Sequence, residues 1–227
     1  MKESIYTIPI NESFEELCGC PFCRLESKME LDSIDILLGA AMMDPDVRIK
    51  TNEQGFCGRH AASLLQEQKR LPLSLILESH LIAIQKLIDA AEQNPLKGLD
   101  PLVTVKEDCY LCAKVDAYMQ HIYSGVAYMY ETEPAFVELY KKQPYFCLRH
   151  LTGFLQTAKR KLGKKAFIVL AAESLLPTKK ALAKSKSDIS AFCKSFDYRA
   201  AGQPLSEDAQ TSIEKTLPLL YGITAEK

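Results

Sequence analysis

Cysteine and histidine carry the chemistry of this sequence. Cys20-Pro21-Phe22-Cys23 and Cys109-Tyr110-Leu111-Cys112 each place two thiols three positions apart. Phe56-Cys57-Gly58-Arg59-His60 and Phe146-Cys147-Leu148-Arg149-His150 each place a thiol three positions before an imidazole. A CxxC turn can aim two thiolates at one point, and residues at i and i+3 of a helical turn share a face. Each CxxC can therefore be joined by a Cys-His pair into a tetrahedral Cys3His site for one metal ion. Taken in chain order, the expected ligands are Cys20, Cys23, Cys57 and His60 for one ion, and Cys109, Cys112, Cys147 and His150 for a second. Sets crossed between the two halves, such as Cys20 and Cys23 with Cys147 and His150, meet the same donor count, and spacing alone leaves that choice open.

Four protein ligands leave no position for a reacting water, so such a site is structural. Zinc, two ions per chain, is the metal this donor set suits. An iron-sulfur cluster is the weaker expectation, and free thiols beside buried histidines are the alternative without metal. Cys18 and Cys193 fall outside both sets. Cys193 is expected as a small core residue among Ile189, Phe192 and Phe196. Cys18, next to the first CxxC, is the candidate redox thiol, with an inert thiol as its alternative.

The elements that must position these ligands form an internal repeat. The second CxxC follows the first by 89 residues and the second FCxRH follows the first by 90, and Asp44-Pro45 matches Glu133-Pro134 between them. Leu31, Ile34, Leu38 and Met42 recur at helical spacing, and Asp44 followed by Pro45 reads as a helix cap with proline at the first helical position. From Pro72, the run containing Leu75, Ile76, Ile84, Leu87 and Ile88 reads as a buried helix, repeated by Phe167, Ile168, Val169 and Leu170 in the second copy. Ser187 and Ser206 can each cap a further helix. The expected fold is all-α, two tandem helical repeats each organised around a Cys3His metal site, with C-terminal covering helices. The expected boundaries are 1-94 for the first unit, 95-101 for a proline- and glycine-containing connector, 102-186 for the second unit and 187-227 for C-terminal helices packing on it.

Composition excludes several classes. The opening residues contain no apolar run of signal-peptide length, and Glu12, Glu15 and Glu16 precede Leu17-Cys18-Gly19-Cys20 where a lipoprotein signal needs a hydrophobic segment. No later stretch is expected to approach the ~20 apolar residues of a membrane span, so no membrane association is expected. Eight cysteines without an export signal point to a reducing, cytoplasmic setting and to metal rather than disulfides. Residues 159-186 hold nine Lys or Arg and a single acid, Glu173. Such a block usually forms a solvated helical face and only weakly suggests a nucleic-acid partner. His80 and His121 lie outside the recurring pattern and read as structural, as does the tyrosine run Tyr118, Tyr123, Tyr128, Tyr130 and Tyr140. No phosphate loop, nucleophile elbow or metalloprotease motif is present, so an enzyme is not expected.

The paired CxxC and FCxRH elements, with Ile5-Tyr6-Thr7-Ile8-Pro9 near the start and Phe196-Asp197-Tyr198-Arg199 near the end, resemble a family of uncharacterised bacterial proteins. Its members are sometimes labelled ABC transporter substrate-binding protein. The resemblance implies a bacterial origin and no mechanism; the transporter label gains nothing from these residues, which lack both an export signal and the α/β pattern of paired lobes. The expected role is a zinc-stabilised, non-enzymatic module presenting a surface to an unknown protein partner. A thiol/zinc redox sensor is the alternative.

Overall fold

The computed structural model describes residues 5-197 and 204-222, so Tyr198 and Arg199 lie outside the described residues. All regular structure among them is helical. In chain order the helices are α1 (Thr7–Glu15), α2 (Pro21–Leu37), α3 (Pro45–Gln54), α4 (Gly58–Gln66), α5 (Arg70–Gln93), α6 (Pro95–Glu107), α7 (Tyr110–Thr132), α8 (Pro134–Lys141), α9 (Leu148–Lys161), α10 (Lys164–Lys194), α11 (Glu207–Gln210) and α12 (Ser212–Tyr221), with a 3-10 turn at Ala40–Met43. Local chemistry accounts for several boundaries. The Asp44 carboxylate accepts from the backbone N–H groups of Asp46 and Val47 with Pro45 in the first turn, as its sequence context predicts. Ser206 caps α11 by accepting from Ala209 N.

Two compact units emerge, and they cut across the sequence copies. A central unit comprises Lys28–Tyr118, and a terminal unit comprises Met1–Ser27 and Met119–Lys227. Each unit therefore draws one CxxC from one copy and one FCxRH from the other. The central unit is built on Ile34, Leu37, Leu38, Leu64, Ile76, Tyr110 and Leu111, with Val47, Phe56 and Leu73 packed against them. The terminal unit has an aromatic core in which Phe14, Phe22, Phe136, Tyr140, Phe146 and Phe154 are almost completely buried. Phe22 meets Tyr123 edge-on at 5.2 Å, and Tyr140 stacks on Phe146 at 5.0 Å. The buried Tyr140 hydroxyl is satisfied by Ser174 at 2.6 Å. Here α12 packs on α9 and α10.

Five expectations fail for identifiable reasons. Residues 95-101 do not form a loop but open α6: Pro95 takes the first helical turn, where its missing N–H costs nothing, and Pro101 lies inside the helix. Gly98 is buried there, and a Cβ at that position would sit 2.3 Å from Ala91 Cα, so the α5-α6 pair closes tightly only because the side chain is absent. The run from Pro72 forms α5 as expected, but only Ile76 is buried, while Leu71, Leu81, Ile82 and Ile88 are more than half exposed or at that level. Contrary to the composition reading, α5 is also long and apolar enough to cross a membrane, with a mean hydropathy of 1.4 in its most apolar window and 6% of that window buried. Ser187 starts no helix, because α10 runs through it to Lys194 despite Pro177. Cys193 is exposed rather than in a core, on the last turn of α10 beside the Phe192–Phe196 ring pair.

Candidate metal centres

All four cysteine-containing motifs sit at helix N-termini. Cys20 and Cys109 immediately precede α2 and α7, and Cys57 and Cys147 are the N-cap residues of α4 and α9. The second ligand of each motif follows one turn later. Two helix N-termini thus converge on each candidate site, so that the positive dipole ends of both lie near the sulfurs.

The eight residues gather into two groups whose ligand atoms all lie within 4.8 Å of one another: Cys20, Cys23, Cys147 and His150 in the terminal unit, and Cys57, His60, Cys109 and Cys112 in the central unit. The grouping in chain order is therefore corrected. The sets are crossed, each combining the CxxC of one copy with the FCxRH of the other. Specific hydrogen bonds bring the crossed motifs together. In the central unit, Tyr110 N donates to Gly55 O at 3.1 Å, holding the start of α7 against the loop before Cys57. Gly55 is required there, since its φ is +60° and a Cβ would meet the His80 ring at 2.9 Å. In the terminal unit, the Thr178 hydroxyl accepts from Phe146 N at 3.1 Å and lies 3.0 Å from Phe146 O, fixing the residue before Cys147. The Ser13 hydroxyl donates to Pro21 O at 2.8 Å beside the first CxxC.

Distances within each group match a single tetrahedral ion. Metal–sulfur bonds of ~2.3 Å and metal–nitrogen bonds of ~2.0–2.1 Å place tetrahedral sulfurs about 3.8 Å apart and sulfur and nitrogen about 3.6 Å apart. Cys23 and Cys147 sulfurs are 3.6 Å apart, and those of Cys57 and Cys112 are 3.8 Å apart. His150 Nδ1 lies 3.2 Å from both Cys23 and Cys147, and His60 Nδ1 lies 3.2 to 3.4 Å from Cys109, Cys57 and Cys112. Each group could hold a metal ion.

Both histidines face sulfur through Nδ1 and a carboxylate through Nε2. Nε2 of His150 is 3.2 Å from Glu26, and Nε2 of His60 is 3.0 Å from Glu30. A carboxylate at this distance favours the proton on Nε2 and leaves the Nδ1 lone pair for a metal, as the outer partner of a ligating histidine does, although His150 Nε2 is not aligned for a full hydrogen bond and His60 Nε2 also faces Arg59 at 3.2 Å. The arginines of the FCxRH motifs complete the arrangement: Arg149 is bidentate on Glu26, at 2.8 and 2.5 Å, and Arg59 reaches Glu30 at 2.5 Å.

Without metal, these neighbours polarise the groups. Accepting from His60, and then from Arg59, lowers Glu30 to about 2 although burial opposes this. Burial disfavours charged imidazole, yet Glu30 and Cys109 push His60 up to about 9, and Cys147, Cys20 and Glu26 push His150 up to about 11. Burial also opposes a Cys109 thiolate, but backbone N–H groups of Cys112 and Cys57 and the His60 ring bring it down to about 7. Cys147 is held well below the usual thiol range by hydrogen bonds from Cys20 and Cys23.

The centres differ in cover. All four terminal ligands are buried, whereas Cys57 and Cys112 of the central site are half-buried. The terminal site is also closed by the chain's C-terminal segment: Gly222 ends α12 at φ +67°, and its carbonyl oxygen lies 3.7 Å from Cys23 Sγ. A Cβ on Gly222 would sit 3.1 Å from Cys147 Sγ.

Glu26, Glu30 and Gly222 were not singled out from sequence. The two glutamates were findable: they follow Cys23 at i+3 and i+7 on α2, a shared helical face, while the matching positions after Cys112 are Val115 and Met119. Gly222 has no comparable signal. Cys18 joins neither group; it is exposed, with its backbone carbonyl accepting from Arg24. His121 stacks on Tyr6, His80 Nδ1 faces Asn52 O at 3.1 Å, and the nine basic side chains between 159 and 186 are exposed.

A family model described as a family of unknown function (DUF6062) matches residues 1–227. The chain belongs to DUF6062. No curated protein and no solved structure matches this DUF6062 chain, so its chemistry is read from the two Cys3His groups themselves.

Proposed function

We propose that the protein is a zinc-stabilised helical interaction module holding two structural zinc ions per chain, one in each unit. The observation that carries this reading is that four donor atoms per site lie within 4.8 Å of one another, at separations suited to one tetrahedral ion, with a carboxylate behind each histidine. An iron-sulfur cluster is disfavoured, because bridging sulfides and several irons spread the cysteine sulfurs of a site further apart than a single ion does. Zinc needs no redox partner and accepts Cys3His directly. Coordination by four protein groups supports a structural rather than hydrolytic role, since no open position remains for water.

Presentation of a surface to a protein partner is supported by the apolar side chains that α5 and α6 leave in solvent, among them Leu71, Leu81 and Leu96. The free thiols fit a reducing compartment, for which the cytoplasm is the proposed location. Metal analysis by ICP-MS on untagged protein, purified without chelator under nitrogen, tests the reading. Two zinc per chain are expected, with no visible absorption. Iron with visible absorption would replace zinc by a redox metal, and a metal-free chain retaining full thermal stability would remove the structural role.

A further inference from the structure

The two sites share donors, outer carboxylates and helix N-termini, but not cover. In the terminal site Cys20, Cys23, Cys147 and His150 are all buried, and the last turn of α12 with the Gly222 carbonyl lies over the sulfurs. Reaching those sulfurs requires α12 to lift, and α12 is held against α9 and α10 with its Ser212 and Leu219 buried. In the central site, Cys57 and Cys112 are half-buried and their sulfurs already lie 3.8 Å apart. Of the eight proposed ligands these two alone are not buried, so a small reagent approaches this site with less helix movement than the terminal site demands. A barrier of local opening therefore protects one metal and not the other.

Resting on the two-zinc reading above, we propose that the central site is an oxidation-releasable zinc site, with Cys57 and Cys112 as its reacting pair and hydrogen peroxide as the oxidant, whereas α12 locks the terminal site. One thiolate of the pair attacks the peroxide oxygen; the O–O bond breaks, hydroxide leaves and a sulfenic acid forms. The second thiolate attacks that sulfur, the S–S bond forms and a second hydroxide leaves, so two electrons pass from the sulfur pair to the peroxide, and two protons convert the hydroxides to water. Zinc, left with Cys109 and His60, departs as a dication. Either thiolate can open the sequence, and the product is one Cys57–Cys112 disulfide.

The test uses the full chain loaded with two zinc ions and treated with hydrogen peroxide in the presence of a chromogenic chelator, with disulfides mapped by mass spectrometry at intervals. The expected result is two phases of one zinc each with rates about tenfold or more apart, the fast phase yielding the Cys57–Cys112 bond and a slow phase belonging to the terminal site. Leu219→Ala, which loosens α12 without touching a ligand, should accelerate the slow phase about tenfold and leave the fast phase unchanged. Gly222→Ala should do the same by pressing a Cβ on Cys147, with circular dichroism confirming that both variants are folded. Release of both ions in a single phase, or a first disulfide among Cys20, Cys23 and Cys147, would overturn the proposal. A chain that binds no zinc before peroxide is added fails at the earlier step and overturns the two-zinc reading instead.

Discussion

At the scale of single residues, Glu26 and Glu30 stand behind the proposed ligands, 3.2 and 3.0 Å from the imidazole Nε2 atoms. Each fixes one imidazole with Nδ1 towards sulfur, and loss of such an outer partner costs ~10–100-fold in metal affinity. Glu30→Gln should weaken zinc at the central site by about that factor and leave the terminal site unchanged, as read by competitive chelator titration. The same residue governs acid behaviour of the chelated, metal-free chain. Its folded pKa is depressed from 4.5 to about 2, so the stability it contributes is complete above pH 4.5 and is lost as pH falls through 2. The difference in melting temperature between wild type and Glu30→Gln should therefore shrink steadily between pH 4.5 and about 2; a constant difference would remove the ion pair from the account. Ligand identities were legible because thiols and imidazoles recur at fixed spacing. The carboxylates left a weaker trace, their i+3 and i+7 spacing after Cys23, because an acid on a helix is ordinary until its partner is known.

At the scale of elements, four helix N-termini supply the ligands, and the caps that set them were partly legible: Asp44-Pro45 and Ser206 announced α3 and α11 by side-chain chemistry. The α5-α6 pair shows where such reading stops. Proline and glycine between Asn94 and Pro101 usually mark a loop, but here Pro95 starts a helix and Gly98 permits close approach to Ala91. Gly98→Ala would force a Cβ into Ala91 and should destabilise the fold by about 1–3 kcal/mol, measured by denaturant unfolding of the zinc-loaded protein. A neutral substitution would mean that α5 and α6 separate readily. The burial of α5 was misread because leucine and isoleucine dominate its sequence, and apolar composition does not say which of those side chains find a partner.

At the scale of the whole molecule, the crossing of ligand sets was the least legible feature. Closing a chain of 124 residues from Cys23 to Cys147, rather than 34 residues to Cys57, adds only about 1.1 kcal/mol of loop entropy. Structural zinc contributes ~10–16 kcal/mol, so spacing cannot choose between the pairings; packing of Phe22 with Phe146 and of Tyr110 with Gly55 can. Paired substitutions distinguish them. The crossed sets predict that Cys23→Ser combined with Cys147→Ser empties one site and leaves one zinc per chain, whereas Cys23→Ser combined with Cys57→Ser empties both. Sets in chain order predict the reverse, and ICP-MS separates the two patterns.

The crossed arrangement also orders events during synthesis. The ribosome delivers Cys57, His60, Cys109 and Cys112 without interruption from the terminal set, so the central centre can close while the chain is half made. Cys20 and Cys23 emerge first yet must wait for His150, 127 residues later, roughly 6 to 25 s at ~5–20 residues per second. Throughout the early part of that interval the nearest Cys-His pair within reach is Cys57 and His60. The nascent chain thus passes through a period in which its most accessible Cys3His group is one that the finished fold does not contain, and a metal ion captured there would have to be surrendered before α7 takes its place.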